Sequence, residues 1–241
     1  TTKALKHYSE QLITLHNVPT YYFRPEPPNK KFTIDDYGLP DDVRLYVCPQ
    51  ALFKFHPQFD AVIGNLLRQD PDGRFVIIND RDRGNFKTLL IERFRRDFPD
   101  QIDHVIFLPH LSREKFLGLL SLADAILDIP TFSGGNSALE AFAMCAPIVT
   151  WPQDFMRGRL TAGLYKQMGL NDLIATDEKS YLALALRLAQ DEDFKRRVQD
   201  DIKDNAHKLY ERLDTVKEME TFFISAYKAW QTGTTLTNLK I

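Results

Sequence analysis

The sequence predicts an α/β protein, a Rossmann-like parallel sheet with helices on both faces. Three observations predict it. Short runs rich in Val, Ile and Leu recur along the chain and alternate with single stretches of helical apolar spacing. The runs do not alternate apolar with polar residues, which suits strands buried on both sides. The fourth run, Ala125 to Ile129, stops at Pro130 and leads through Thr-Phe-Ser into Gly134-Gly135 and then into helix formers, a strand passing through a tight turn into a helix.

Residues 1–42 read as a linker segment rather than the start of a domain. Tyr8 to Leu15 is a strand or short helix by its apolar content, and Arg24 to Lys31 is a polar, proline-rich connector. Ile34 to Leu39 then leads through the turn at Pro40 into the first strand, Arg44 to Cys48. Leu52 to Arg68 has helical spacing interrupted near Pro57. A second strand, Arg74 to Asn79, precedes a helix from Phe86 to Phe98. His104 to Leu108 is the third strand, and Ser112 caps a helix running to Ala123. After the fourth strand and its helix come a fifth strand from Pro147 to Trp151, a helix from Arg159 to Met168, and a short sixth strand from Leu173 to Ala175. Helices from Lys179 to Ala189 and from Phe194 to Lys208 complete a Rossmann-like domain over 43–208. Residues 209–241 form a last amphipathic helix, bearing Phe222, Phe223 and Trp230, and a frayed tail from Thr232.

Composition excludes several classes. The chain has 241 residues, 44% of them apolar and 27% charged, as in an ordinary globular protein. Its 31 basic and 33 acidic residues give a net charge of -2, which argues against a nucleic-acid partner. No apolar run reaches the ~20 residues that span a bilayer and no signal-peptide core is present, so we expect a cytoplasmic protein without membrane contact. The two cysteines, Cys48 and Cys145, sit in apolar segments and read as reduced core thiols. No Gly-x-Gly-x-x-Gly or P-loop occurs, which disfavours dinucleotide oxidoreductases and P-loop NTPases.

Open parallel sheets bind ligands at the C-terminal ends of their strands. Bare backbone at Gly134-Gly135, facing a helix start, offers N–H groups and the positive end of the helix dipole to a phosphate. Asn136 and Ser137 are good caps for that helix, and Glu140, one turn on, is placed to accept hydrogen bonds from a ribose. The same residues also suit an ordinary βα turn followed by a solvated Glu140. Lys54, Arg113 and Arg159 fall in neighbouring loops, where they could neutralise a diphosphate, although each alone reads as a surface charge. His56 and His110 lie on the same rim, and the six histidines show no metal-ligand spacing. Asp80-Arg81-Asp82 has the form of a divalent-cation site, but Arg81 and Arg83 oppose it, and no metal is expected.

Tyr46 to Pro57, Phe107-Leu-Pro through Ser112-Arg-Glu114, Leu127-Asp-Ile-Pro130, Gly134 to Ser137 with Glu140, and Pro147 to Thr150 occur in one order and spacing. That pattern resembles the O-linked N-acetylglucosamine transferases, including bacterial tetratricopeptide-repeat glycosyltransferases and N-glycosyltransferases, over about residues 8–230. The resemblance implies the C-terminal half of a two-Rossmann (GT-B) glycosyltransferase fold, which holds a UDP-sugar without a metal or other cofactor. Lys54 matches the family lysine that contacts the donor diphosphate. Gln50 neighbours the position of a family glutamine, which falls on Ala51. Arg113 stands where animal members have a lysine near the nucleotide; Gly135, Asn136 and Ser137 occupy their His-Thr-Thr positions; and Glu140 replaces an aspartate that binds ribose. These departures point to a bacterial branch.

The resemblance further implies transfer of GlcNAc or a hexose to a protein acceptor, with the catalytic base in an N-terminal half that this sequence does not contain. Residues 1–24 would be the end of that half, and the last helix would return to it. Two rivals share the fold: a catalytically inactive protein-interaction domain using the Phe222, Phe223 and Trp230 face, and a sugar-nucleotide epimerase.

Overall fold

The computed structural model describes residues 4–79 and 85–236. The strands are β1 (Arg44–Cys48), β2 (Gly73–Ile78), β3 (Val105–Leu108), β4 (Ala125–Leu127) and β5 (Ile148–Val149). They form one parallel sheet in the order β3-β2-β1-β4-β5. Tyr46 of β1 lies between Phe75 of β2 and Ala125 of β4. Leu45 to Cys48, Phe75 to Ile77, Ala125 to Leu127 and Ile148-Val149 are each at most 2% exposed. Both faces of the sheet are therefore covered, which explains why these runs carry no polar alternation. Each Val, Leu, Ile or Phe among them contributes ~1.5–3 kcal/mol to the fold on leaving water.

The helices joining the strands are α1 (Pro57–Gln69), α2 (Phe86–Asp97), α3 (Arg113–Leu122) and α4 (Asn136–Ala143). Right-handed crossovers from β1 to β3 place α1 and α2 on one face; the return to β4 and on to β5 places α3 and α4 on the other. Then come α5 (Leu160–Met168), α6 (Glu178–Gln190), α7 (Glu192–Asn205) and α8 (Leu213–Gln231). Helix α6 packs on α1 and on strands β1, β4 and β5, and Tyr181 from it is fully buried against Phe59 of α1. The order of the strands reverses between β1 and β4. That switch point opens a crevice above the C-terminal ends of those two strands.

Local chemistry bears out one sequence expectation and corrects two. The helical spacing from Leu52 to Arg68 is interrupted near Pro57 as expected: a 3-10 turn, Leu52–Lys54, is followed by α1 beginning at Pro57. Proline suits the first helical position and keeps His56 extended, at ψ 143°, so the turn cannot run on into the helix. Leu173 to Ala175 forms only an isolated bridge, Thr150 to Ile174, instead of a sixth strand. Tyr8 to Leu15 is neither strand nor helix.

Further along, the N-terminal segment is fixed by side chains. Glu218 of α8 accepts the N–H groups of His16 and Asn17, and Gln167 of α5 accepts that of Val18 at 2.9 Å. Phe32 and Leu39 are buried, and Phe32 lies so close to Gly118 of α3 that a Cβ there would meet its ring at 2.4 Å. Ser112 caps α3 as expected, accepting the N–H of Lys115 at 3.3 Å.

Candidate functional site

Two adjoining clefts occupy the switch point, sharing Pro49, Gln50 and Ala51 as a common wall. The larger, about 500 Å³, is lined by Asn79, His110 to Arg113, Phe116 and Glu140 among others. The second, about 350 Å³, is lined by Lys54, Phe132, Ser133, Gly135 to Ser137 and Leu160. Tertiary structure thus gathers residues that follow all five strands at one place.

The second cleft contains the helix start. The cap of α4 is Gly135, and no side chain bonds to the first turn, so Asn136 and Ser137 do not serve as the expected caps. Asn136 already lies inside the helix, where its side chain cannot reach back to N–H groups further along. Gly135 O accepts from Ala138 and Leu139 at 3.1 and 3.2 Å. The N–H groups of Gly135, Asn136 and Ser137 accordingly have no acceptor among the described residues. They are the orphan donors of a helix N-terminus, open to an anion. The two glycines differ: a Cβ on Gly134 would crowd Ser137 Oγ at 3.1 Å and Ala138 Cβ at 3.3 Å, whereas one on Gly135 would meet only Leu160 at 3.9 Å.

Lys54, at the end of its 3-10 turn, stands across from these donors. Its Nζ lies 4.4 Å from the centre of the Phe132 ring, in cation–π contact. Burial pushes its pKa down, while the Asp128 carboxylate acts against that shift. Among the described residues no carboxylate lies within ion-pair distance of it. Gln50 is 4% exposed, and both ends of its amide are engaged: Oε1 accepts the Ile129 N–H at 2.8 Å and Nε2 donates to Phe132 O at 2.5 Å. It pins the loop after β4 to the loop after β1.

In the larger cleft Arg113, the first residue of α3, faces Glu140 with Nη1 to Oε1 at 4.0 Å. Burial raises the Glu140 carboxyl and Arg113 pulls it back. Tyr22, from the N-terminal segment, is raised by its own burial and then by the charge of Glu140, which places it beside this pair. Arg113 is thus matched with Glu140 on one side of the shared wall, and Lys54 with the helix start on the other. Arg159 caps α5, next to Leu160 in the second cleft. His56 accepts the Gln58 N–H at the start of α1, and His110 lines the larger cleft. The Asp80-Arg81-Asp82 sequence lies outside the described residues.

Sequence reasoning passed over the group beneath the turn. Asp128, just past β4, is 3% exposed; Oδ1 accepts the Gly134 N–H and Oδ2 the hydroxyls of Ser133 and Thr150, each at 2.7 Å. Burial pushes its carboxyl up and these donors draw it down. Ser133 Oγ also accepts the Thr161 N–H at 3.0 Å. An acidic residue closing an otherwise apolar strand run was the available signal.

Known proteins resemble this chain in sequence and fold. It is 27% identical over 192 residues to the probable UDP-N-acetylglucosamine–peptide N-acetylglucosaminyltransferase SEC of Arabidopsis thaliana, covering 76% of this chain and 19% of that protein. A UDP-N-acetylglucosamine–peptide N-acetylglucosaminyltransferase of Giardia intestinalis is 25% identical over 199 residues, 82% of this chain and 13% of that protein. The chain therefore spans less than a fifth of either relative. Among solved structures, a mutant Thermobaculum terrenum O-GlcNAc transferase superposes with TM-score 0.67 and 21% identity, over 76% of this chain and 38% of that one. Sucrose-phosphate synthase of Thermosynechococcus elongatus does so with TM-score 0.60 and 16% identity, over 87% and 50%. These likenesses show the fold, the Rossmann-like half of a two-Rossmann glycosyltransferase architecture. The sequence profile of Glycosyl transferase family 41 matches residues 28–219, most of the chain, and the chain belongs to that family.

Proposed function

We propose that this chain is the nucleotide-sugar-binding half of a metal-independent protein glycosyltransferase, which uses a UDP-sugar to transfer GlcNAc or a hexose to a protein acceptor. One observation carries the reading: the N–H groups of Gly135, Asn136 and Ser137, which have no acceptor among the described residues, share a cleft with the Lys54 ammonium. Together they suit two linked phosphates, a backbone nest and a cation. Glu140, with Arg113 beside it, suits the ribose hydroxyls, and the cleft from Asn79 to Phe116 has room for the base. The names of the relatives support a UDP-N-acetylglucosamine donor and a peptide acceptor.

In this reading an acceptor hydroxyl or amide attacks the anomeric carbon, and the bond from that carbon to the diphosphate oxygen breaks. Lys54 and the helix start stabilise the charge that develops on the departing nucleoside diphosphate. The base that takes the acceptor proton belongs to an N-terminal Rossmann half, and separate tetratricopeptide repeats would present the acceptor. A bacterial, cytoplasmic protein fits the same reading.

Calorimetric titration of the chain with UDP, and with GDP for comparison, tests it. UDP binding at millimolar affinity or better is expected; absence of binding by either nucleotide rejects the donor site. A non-enzymatic interaction domain is the second reading, favoured by the exposure of Phe223 and Trp230 on α8. It predicts self-association or partner complexes on gel filtration that nucleotide leaves unchanged.

A further inference from the structure

Three donors from two elements converge on the buried carboxylate of Asp128, yet the donor-site reading gives that group no task. Its main chain is anchored at both ends: the N–H donates to Val149 O at 3.0 Å, and the C=O accepts the Tyr181 hydroxyl at 3.0 Å. From that fixed point the side chain reaches forward to Ser133 and Gly134, five and six residues on. These two residues lead directly into the α4 cap at Gly135. The turn between has no ladder to fix it. Its other ties are Phe132 N–H to Ile129 O at 3.1 Å, Ser133 N–H to Arg157 O at 2.7 Å, the Gln50 amide, and Thr161, whose N–H donates to Ser133 Oγ at 3.0 Å and whose hydroxyl donates to Gly134 O at 3.4 Å. A carboxylate at this buried position carries a desolvation cost, which its three donors offset.

We propose that Asp128 is a positioning residue for the donor: through Ser133 and Gly134 it holds the turn so that the N–H groups of Gly135 to Ser137 point at the diphosphate. The inference rests on the donor-site reading above. It assigns the two hydroxyls on Oδ2 different tasks. Ser133 belongs to the turn and transmits the position of Asp128 to it, accepting the Thr161 N–H at the same time. Thr150 lies beyond β5 and only completes the solvation of the carboxylate.

Ser133→Ala and Thr150→Val each remove one buried hydroxyl from the same oxygen without changing charge, and Ser133→Ala also takes the acceptor from the Thr161 N–H. UDP affinity is measured by calorimetry and uridine affinity by ligand-observed NMR, with melting temperatures recorded for both variants. Ser133→Ala is expected to weaken UDP about tenfold, the scale of one lost hydrogen bond to a charged group, and to leave uridine unchanged. Thr150→Val is expected to lower the melting temperature, by less than Ser133→Ala does, while binding UDP within about twofold of wild type. Asp128→Ala should lose UDP affinity at least as strongly; if that variant does not fold, the hydroxyl pair decides. Equal UDP losses in the pair, no loss in Ser133→Ala, or parallel losses for UDP and uridine would overturn the positioning role and leave Asp128 structural. Failure of the wild-type chain to bind UDP is a separate result, which removes the donor-site reading and this inference with it.

Discussion

Replacing Lys54 by alanine removes a charge that has no ion-pair partner among the described residues, so the cost falls on the ligand rather than on the fold. Two unit charges ~4 Å apart at an effective dielectric of 20 attract by about 4 kcal/mol before desolvation is counted. The free protein already half-buries this amine, and burial pushes its pKa down, so part of the desolvation precedes binding. A net charged contact of ~1.5–3 kcal/mol follows, or a UDP affinity about 10- to 150-fold weaker. The variant's own stability should fall by only ~0.5–1 kcal/mol, the worth of the contact with Phe132. Calorimetry with UDP and a thermal melt separate the two effects, and Lys54→Met, which keeps the stem over the ring, is the control. The depressed pKa adds a sign: the amine loses its charge at a lower pH than an exposed lysine, so wild-type affinity declines earlier on the alkaline side, and Lys54→Met lacks that decline. Equal affinities of wild type and Lys54→Ala at neutral pH would refute the role assigned to Lys54.

Other perturbations probe the frame. Gly134→Ala should destabilise by ~1–3 kcal/mol in urea melts because its Cβ would crowd Ser137 and Ala138, whereas Gly135→Ala, with open space beside it, should cost less than ~1 kcal/mol. Asp70 is buried, pairs with Arg44 at 2.7 and 3.0 Å, and accepts the Tyr46 hydroxyl at 2.5 Å. Burial opposes its ionisation, but these partners hold the carboxyl below its usual value, so its contribution is present above the unfolded carboxyl pKa and is lost as pH falls through the folded one. Asp70→Asn should therefore melt lower at neutral pH and show a flatter acid limb, and an unchanged limb would contradict this account. Glu218→Ala strips the acceptor from His16 and Asn17 and should speed amide exchange at residues 16 and 17 by about tenfold, at ~1.5 kcal/mol for the charged bonds lost.

Much of the architecture follows from local rules acting on this sequence. Runs such as Phe75 to Ile77 and Ala125 to Leu127 are short, wholly apolar and bounded by turn residues, which suits strands covered on both faces. Pro57, Ser112 and Gly134 mark helix starts and a turn because each has a backbone or capping property that few residues share. The family resemblance likewise rested on short motifs whose spacing survives in one dimension. The loops that carry Lys54, Arg113 and Gly134 could be placed on one rim from the rule for parallel sheets.

Distances across that rim were decided only in three dimensions. The apolar run before Asp128 hints at its burial, but its three donors arise only because β4 ends beside β5 and the turn folds back over it. Arg113 meets Glu140 instead of Lys54 because α3 and α4 lie side by side, a relation between helices that sequence spacing does not encode. The capping preference of Asn136 and Ser137 gave way to Gly135 because the end of the turn, rather than side-chain propensity, set where the first helical residue could fall. Propensity and periodicity act over a few residues. Burial, pairing and the opening of a cleft depend on segments far apart in the chain, and only the folded molecule brings those together.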